Sequence, residues 1–171
     1  MKKRATIFSL CATAMTVCGL ALGTTPAFAT IINTPGYVHL MNAGSGKCID
    51  AGPPVEQWSC LSTVYEEWQF VDTGDGLYEI ISNASGECLT QEDGSGDGAP
   101  VVQAPCEPVR VASQVWVFRN RGTNSFGPYF SLVNLRLKGC LDLENGDTSD
   151  GVPMQIWGCN IRTNNQRWQE S

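Results

Sequence analysis

Cysteine and tryptophan recur in a fixed order along the chain, and these cysteines could form disulfides or hold a metal ion. The order Cys, apolar residue, Cys, Trp occurs three times: Cys48-Ile49, Cys60 and Trp68; Cys88-Leu89, Cys106 and Trp116; Cys140-Leu141, Cys159 and Trp168. The sequence contains no close CxxC pair, and its only histidine is His39, which disfavours zinc. Six thiols can pair in fifteen ways. The repeat favours pairing within each copy: Cys48–Cys60, Cys88–Cys106 and Cys140–Cys159.

The N-terminal segment resembles a secretory signal peptide. Lys2, Lys3 and Arg4 precede an apolar run from Ala5 to Gly23, and Ala27-Phe28-Ala29 forms a small-x-small cleavage site. An uncleaved membrane anchor is the rival interpretation, but the segment is short and rich in Ala, Gly and Thr. We therefore expect a signal peptide over residues 1–29, a secreted mature chain over residues 30–171, and conditions in which disulfides form.

The charge balance limits the classes of partner. The signal peptide removes three of the eleven basic residues, which leaves eight against seventeen acidic residues and a net charge of −9. An acidic chain is a poor candidate for binding nucleic acid or an anionic membrane surface. No apolar run after residue 29 is long enough to span a bilayer, so no membrane insertion is expected.

The spacing of apolar residues predicts an all-β domain. Apolar residues lie ten and eight positions before the first cysteine of every copy, which is the period-two pattern of a strand with one buried face: Val38 and Leu40, Tyr78 and Ile80, Phe130 and Leu132. Glycine-rich turns separate these stretches. Copies of this length suit four short strands each, over approximately residues 36–73, 76–121 and 128–171. Threefold closure would remove open sheet edges, so we expect a β-trefoil with three pseudo-equivalent repeats.

These repeats resemble the ricin B-type β-trefoil lectins. Gln114-Val115-Trp116 and Gln166-Arg167-Trp168 are QxW motifs of that family, and Glu66-Glu67-Trp68 is a degenerate one. The resemblance covers essentially the whole mature chain. It implies three lobes with up to three shallow sugar sites, no catalysis and no cofactor. The repeated apolar spacing indicates that the QxW tryptophans lie in the hydrophobic core.

The third copy carries a full set of sugar-site residues by this resemblance. Asp142 would accept hydrogen bonds from two vicinal hydroxyls, and Trp157 would stack on the apolar face of the sugar ring. Asn165 would bind a hydroxyl, Gln155 would contact the rim of the sugar, and Gln166 would orient Asp142. The rival interpretation places Trp157 as an ordinary strand residue and Asp142 as a turn carboxylate.

The other two copies depart from this set. The first copy keeps Asp50 and Trp58, which makes it a second candidate sugar site. Glu56 stands at the position of Gln155, however, and Tyr65 stands at the position of Asn165. In the third copy, Asp142 would be the carboxylate anchor of the sugar and Trp157 would be its aromatic platform. The second copy has lost the anchor, the platform and the glutamine that corresponds to Gln155, so it is not expected to bind sugar. Thr90, Ala104 and Val102 stand at these three positions.

No enzyme signature accompanies these motifs. GxSxG and HExxH are absent, and His39 has no catalytic companion. Asp93 to Gly98 resembles the opening of a calcium loop, but Ala104 stands where an EF-hand requires glutamate, so we expect no metal site. The resemblance favours a non-catalytic lectin for galactose or a galactose-like unit. The alternative is a β-trefoil inhibitor, or an accessory subunit of a separately encoded toxin or enzyme, with a vestigial sugar site.

Overall fold

In the part of the chain that the structure describes, twelve β-strands lie between residues 38 and 170. A computed structural model describes residues 36–171, except Ser95, Phe126 and the side chains of Asn120 and Arg121. The predicted signal peptide, residues 1–29, lies outside the described residues. The strands, four in each copy of the pattern, are β1 (Val38–Asn42), β2 (Cys48–Asp50), β3 (Glu56–Trp58), β4 (Glu67–Gly74), β5 (Leu77–Ser82), β6 (Cys88–Gln91), β7 (Ala99–Ala104), β8 (Trp116–Asn124), β9 (Gly127–Asn134), β10 (Cys140–Leu143), β11 (Val152–Trp157) and β12 (Trp168–Glu170). The all-β prediction is confirmed.

The first and fourth strands of each copy close into a six-stranded barrel. Antiparallel pairing runs β1–β4–β5–β8–β9–β12 and returns from β12 to β1. The second and third strands of each copy pair as a hairpin: β2 with β3, β6 with β7, and β10 with β11. Closure of the ring removes the open edges that a flat sheet would expose. The hairpins carry the candidate residues Asp50 and Trp58 of the first copy and Asp142, Gln155 and Trp157 of the third copy.

The QxW tryptophans lie in the core. Trp68, Trp116 and Trp168 are fully buried. Each indole nitrogen donates a hydrogen bond to the carbonyl after the first cysteine of its own copy, at 3.0, 2.9 and 3.1 Å respectively. The acceptors are the carbonyl oxygens of Ile49, Leu89 and Leu141. A buried indole thus contributes its apolar area while its one polar group stays bonded.

The predicted period-two pattern is visible in the first strand of each copy. Leu40, Ile80 and Leu132 are fully buried, and Tyr78 and Phe130 are buried beside them. Val38 is only half-buried. The ring of Phe118 packs edge to face against Phe70 and Tyr78 and at a tilt against Phe130, with centroid distances of 4.8 to 5.0 Å.

The structure contains three disulfides, one in each copy, and each ties a hairpin to the segment that follows it. They join Cys48 to Cys60, Cys88 to Cys106 and Cys140 to Cys159, which are the pairs that the repeat favoured. The paired cysteines are 12, 18 and 19 positions apart in the sequence. Each is expected to stabilise the fold by about 3 kcal/mol through the reduced entropy of the unfolded chain.

Within the described residues, no three or more His, Cys, Asp or Glu side chains are placed to hold a metal ion. The same part of the chain contains no helix that is long and apolar enough to cross a membrane.

Candidate functional site

The five residues singled out in the third copy line one surface pocket of about 270 Å³. Strand β10 provides Asp142 and strand β11 provides Gln155 and Trp157. Asn165 and Gln166 lie in the turn before β12. Asp142 stands directly opposite Gln155 in the β10–β11 register, and Cys140 stands opposite Trp157. The hairpin therefore places a carboxylate, an amide and an indole next to one another.

Asp142 is a buried carboxylate whose two oxygens are both held by amides. Only 4% of the residue is exposed. Gln155 Nε2 donates to Oδ1 at 2.9 Å, and Gln166 Nε2 donates to Oδ2 at 2.8 Å. Burial raises the pKa of this carboxyl, the two hydrogen bonds lower it in part, and the nearby Asp97 charge raises it further. Each oxygen retains a lone pair that can accept a hydrogen bond from a ligand.

Gln166 fixes the floor of the pocket. It is buried, and its Nε2 also donates to the Gly158 carbonyl at 3.0 Å, while its Oε1 accepts from the Asn160 backbone nitrogen at 2.7 Å. The side chain thus ties Asp142 to the chain on both sides of Cys159. The orienting role of Gln166 in sugar binding stays a prediction.

Gln155 has a different geometry from the one expected. The sequence assigned it to the rim of a ligand, but its amide nitrogen is committed to Asp142. The reason is the cross-strand register, which puts residues 142 and 155 side by side and which the sequence alone does not display. Its Oε1 atom is the part of the side chain that could face a ligand.

Trp157 is the exposed face of the pocket. It ends β11, whose side chains alternate between buried and outward positions, and 45% of the residue is exposed. A large aromatic ring at this exposure offers a flat apolar surface beside a polar pocket. Asn165, which is half-buried, also lines the pocket and lies against Gly146. A Cβ atom on Gly146 would lie 2.7 Å from Asn165 Oδ1, so the glycine makes room for the amide.

Four further lining residues were missed by sequence reasoning: Asn145, Gly158, Asn160 and Thr163. Asn145 adopts a positive φ of 55°, which its place in an Asn-Gly turn could have indicated. Thr163 Oγ1 is buried without a hydrogen-bond partner among the described residues. No local pattern in the sequence marks Thr163.

The first copy keeps the aspartate and the tryptophan of the site but not the two glutamine amides that hold the carboxylate in the third copy. Asp50 faces Glu56 across the β2–β3 register, and its Oδ1 accepts from the Gly52 backbone nitrogen at 2.7 Å. Glu66 replaces the glutamine and accepts from the Leu61 nitrogen at 2.8 and 2.9 Å. Ionised carboxylates cannot donate to Asp50. Burial, and then the charge of Asp50, raise the pKa of Glu56. Trp58 is 39% exposed, so the flat surface persists.

The second copy has a hydroxyl where the other copies have a carboxylate. Thr90 Oγ1 donates to the Cys88 carbonyl at 2.8 Å and accepts from Gln114 Nε2 at 3.1 Å. Val102 and Ala104 stand opposite Thr90 and Cys88 in the β6–β7 register. The second copy therefore has neither a carboxylate at the position of Asp142 nor an aromatic ring at the position of Trp157.

A sequence model of the ricin-type β-trefoil lectin domain matches residues 36–168. The chain belongs to this family. Ricin-type membership supports carbohydrate binding as the general activity of the domain. Among curated proteins, no sequence matches the chain.

Solved structures share this ricin-type fold. The designed threefold-symmetric protein ThreeFoil is 29% identical, with a TM-score of 0.70 over 79% of this chain and 97% of that one. A ricin B-like lectin from Macrolepiota procera, solved in complex with lactose, is 23% identical, with a TM-score of 0.65 over 79% of this chain and 94% of that one. An exo-β-1,3-galactanase from Clostridium thermocellum is 24% identical, with a TM-score of 0.70 over 81% of this chain. This chain spans only 30% of the galactanase. The last two likenesses show the fold alone.

Proposed function

We propose that this chain is a secreted, non-catalytic lectin that binds galactose or a galactose-like unit through its third copy. One observation carries the proposal. A buried carboxylate, Asp142, is held by two amides beside an exposed tryptophan, Trp157. Two vicinal hydroxyls can donate to the oriented carboxylate oxygens while the apolar face of the same ring lies on the indole. The preference for galactose rests on the family resemblance.

The three copies are proposed to differ in their affinity for sugar. In the first copy, Glu56 and Glu66 stand where two glutamine amides hold Asp142. Asp50 faces the carboxylate of Glu56, so any sugar bound there is held weakly. In the second copy, neither Thr90 nor Ala104 can replace the anchor or the platform. We therefore assign the principal site to the third copy alone.

The proposed location is extracellular. Three disulfides support this location, because they persist in oxidising compartments. Residues 1–29 are proposed to be the signal peptide, and residues 30–171 the single lectin domain. A separately encoded enzyme or toxin partner would use the lectin for targeting, and nucleic acid is not a proposed ligand.

A glycan array tests the function. The mature chain, residues 30–171, is biotinylated and displayed on streptavidin, because several weak sites engaged at once give measurable avidity. We expect binding to glycans that end in galactose. Binding to none would favour the alternative of an interaction protein with a vestigial sugar site. Turnover of a chromogenic glycoside panel by the same preparation would contradict the non-catalytic assignment.

Sugar affinity is expected to fall in mild acid. The site needs the ionised form of Asp142, because protonation turns an acceptor oxygen into a donor. Burial raises the pKa of this carboxyl above its ordinary value of 3.8. Affinity should therefore be full above the raised pKa and decline as the pH falls through it. Lactose titrations from about pH 8 to about pH 3, with circular dichroism to confirm the fold at each pH, measure the midpoint. A midpoint at or below the ordinary aspartate value would be inconsistent with a buried anchor.

A further inference from the structure

A turn from the second copy reaches the pocket of the third copy. The turn consists of Asp97 and Gly98, directly before β7. Asp97 Oδ1 accepts from the Gly158 backbone nitrogen at 2.6 Å, and the Gly98 nitrogen donates to the Ile156 carbonyl at 2.8 Å. These two bonds hold the backbone on both sides of Trp157. The platform of one copy is therefore fixed by its neighbour.

Gly98 also lies beside the indole itself. Its φ of +88° belongs to the left-handed region that favours glycine. A Cβ atom there would lie 3.9 Å from Trp157 Cζ3 and 3.9 Å from Gln155 Oε1. The turn thus approaches the edge of the platform and the exposed oxygen of Gln155 at the same point.

The same arrangement recurs at the other copy that has an exposed tryptophan. Asp150 Oδ1 accepts from the Ser59 nitrogen at 2.8 Å, and the Gly151 nitrogen donates to the Gln57 carbonyl at 2.9 Å. A Cβ atom on Gly151 would lie 3.7 Å from Trp58 Cζ3. Two independent Asp-Gly turns therefore hold two platform tryptophans in the same way.

The copy without a platform lacks the turn that would hold one. The three corresponding segments align on a proline: Asp97-Gly98-Ala99-Pro100, Asp150-Gly151-Val152-Pro153 and Ala51-Gly52-Pro53-Pro54. The first-copy segment has Ala51 where the other two have aspartate. Ala104 of the second copy stands where the other copies have tryptophan. Within this chain, the aspartate and the platform are present together or absent together.

We propose that Asp97 and Gly98 are positioning residues of the third-copy site, so that the second copy, which lacks a sugar site of its own, completes the site of its neighbour. Asp97 orders the peptide that follows Trp157, and Gly98 allows the turn to lie against the indole. A platform already ordered in the free protein costs less entropy when a ligand stacks on it. The effect on sugar affinity rests on the proposed function, whereas the effect on the tryptophan does not.

The test isolates Trp157 spectroscopically. Trp68, Trp116 and Trp168 are buried, so the substitution Trp58→Phe leaves Trp157 as the single exposed tryptophan of the five. In this background, Asp97→Ala should raise acrylamide quenching of the exposed indole and weaken lactose binding about five- to tenfold. This is less than the full effect of one charge-assisted hydrogen bond, because Asp97 acts on the sugar only through Trp157. Asp97→Asn should restore both properties to within about twofold, because its amide oxygen can still accept from the Gly158 nitrogen.

Asp93→Ala provides the matched control in the same loop. Asp93 forms an exposed ion pair with Arg136 at 2.8 Å and does not line the pocket, so quenching and affinity should stay at the parent values. Gly98→Ala, which forces a Cβ atom into a positive-φ position, should act in the same direction as Asp97→Ala. The proposal is overturned if both Asp97→Ala and Gly98→Ala leave the quenching of Trp157 unchanged. A parent that fails to bind lactose would contradict the proposed function, while quenching would still decide the positioning role.

Discussion

Asp142→Ala is expected to reduce lactose binding at least about 100-fold, which places it below detection for a weak site. The two oxygens accept hydrogen bonds from the sugar as a charged group, and each such bond contributes about 1.5–3 kcal/mol. Losing two of them costs about 3 kcal/mol or more, or a factor of at least about 100 in affinity. Titration of lactose into the variant and the parent measures the loss.

The matched control for this variant is Asp50→Ala, the same change at the corresponding position of the first copy. We expect the affinity of the principal site to change by less than about twofold. Asp142→Ala also leaves the Gln155 and Gln166 amides without an acceptor, so circular dichroism must show that the fold is kept. Asp142→Asn, which keeps the size of the side chain, serves if the alanine variant unfolds. Full affinity in a folded Asp142 variant would show that the anchor is misassigned.

Trp116→Ala is expected to lower the stability of the fold, whereas Trp157→Ala is expected to lower the affinity for sugar. Trp116 is fully buried and donates to the Leu89 carbonyl, so its removal leaves a cavity and an unpaired acceptor. The free energy of unfolding should fall by about 3–5 kcal/mol. Trp157 is 45% exposed, so its replacement should cost less than about 1 kcal/mol of stability. It should nevertheless weaken sugar binding by about 1–3 kcal/mol, because the stacking surface is lost.

Urea unfolding and lactose titration of both variants separate the two roles. Trp116→Ala should bind lactose normally whenever it is folded, and Trp157→Ala should unfold near the midpoint of the parent. A large loss of stability in Trp157→Ala would mean that the indole is a structural residue rather than a binding surface. That outcome would favour the rival interpretation of Trp157 as an ordinary strand residue.

The features that repeat in the sequence were the ones that could be predicted. The three cysteine pairs and the three core tryptophans recur in register, so each copy supported the interpretation of the others. The apolar alternation before Cys48, Cys88 and Cys140 indicated strands for the same reason. The five pocket residues were named through the resemblance to the ricin B-type lectins, and the repeat showed which of them the other two copies lack.

Contacts between strands and between copies could not be predicted. The bond from Gln155 to Asp142 depends on the β10–β11 register, and the bond from Gly158 to Asp97 joins residues 61 positions apart. The proposed weakness of the first-copy site also rests on geometry. Glu66 looked like a degenerate motif residue, but its position shows that a carboxylate there removes a donor from Asp50 and turns towards Leu61 instead.

If one copy binds the sugar through one tryptophan, lactose will perturb one of the five indole N–H resonances selectively. A shallow site of this kind yields about 4–5 kcal/mol, or a dissociation constant near millimolar, which suits an NMR titration with lactose. Trp157→Phe and Trp58→Phe assign the two exposed indoles. We predict that the Trp157 resonance shifts and saturates while that of Trp58 moves little and the three buried indoles stay in place. Equal shifts of Trp58 and Trp157 with one midpoint, or no shift of Trp157 at saturating lactose, would show that the third copy is not the principal sugar site.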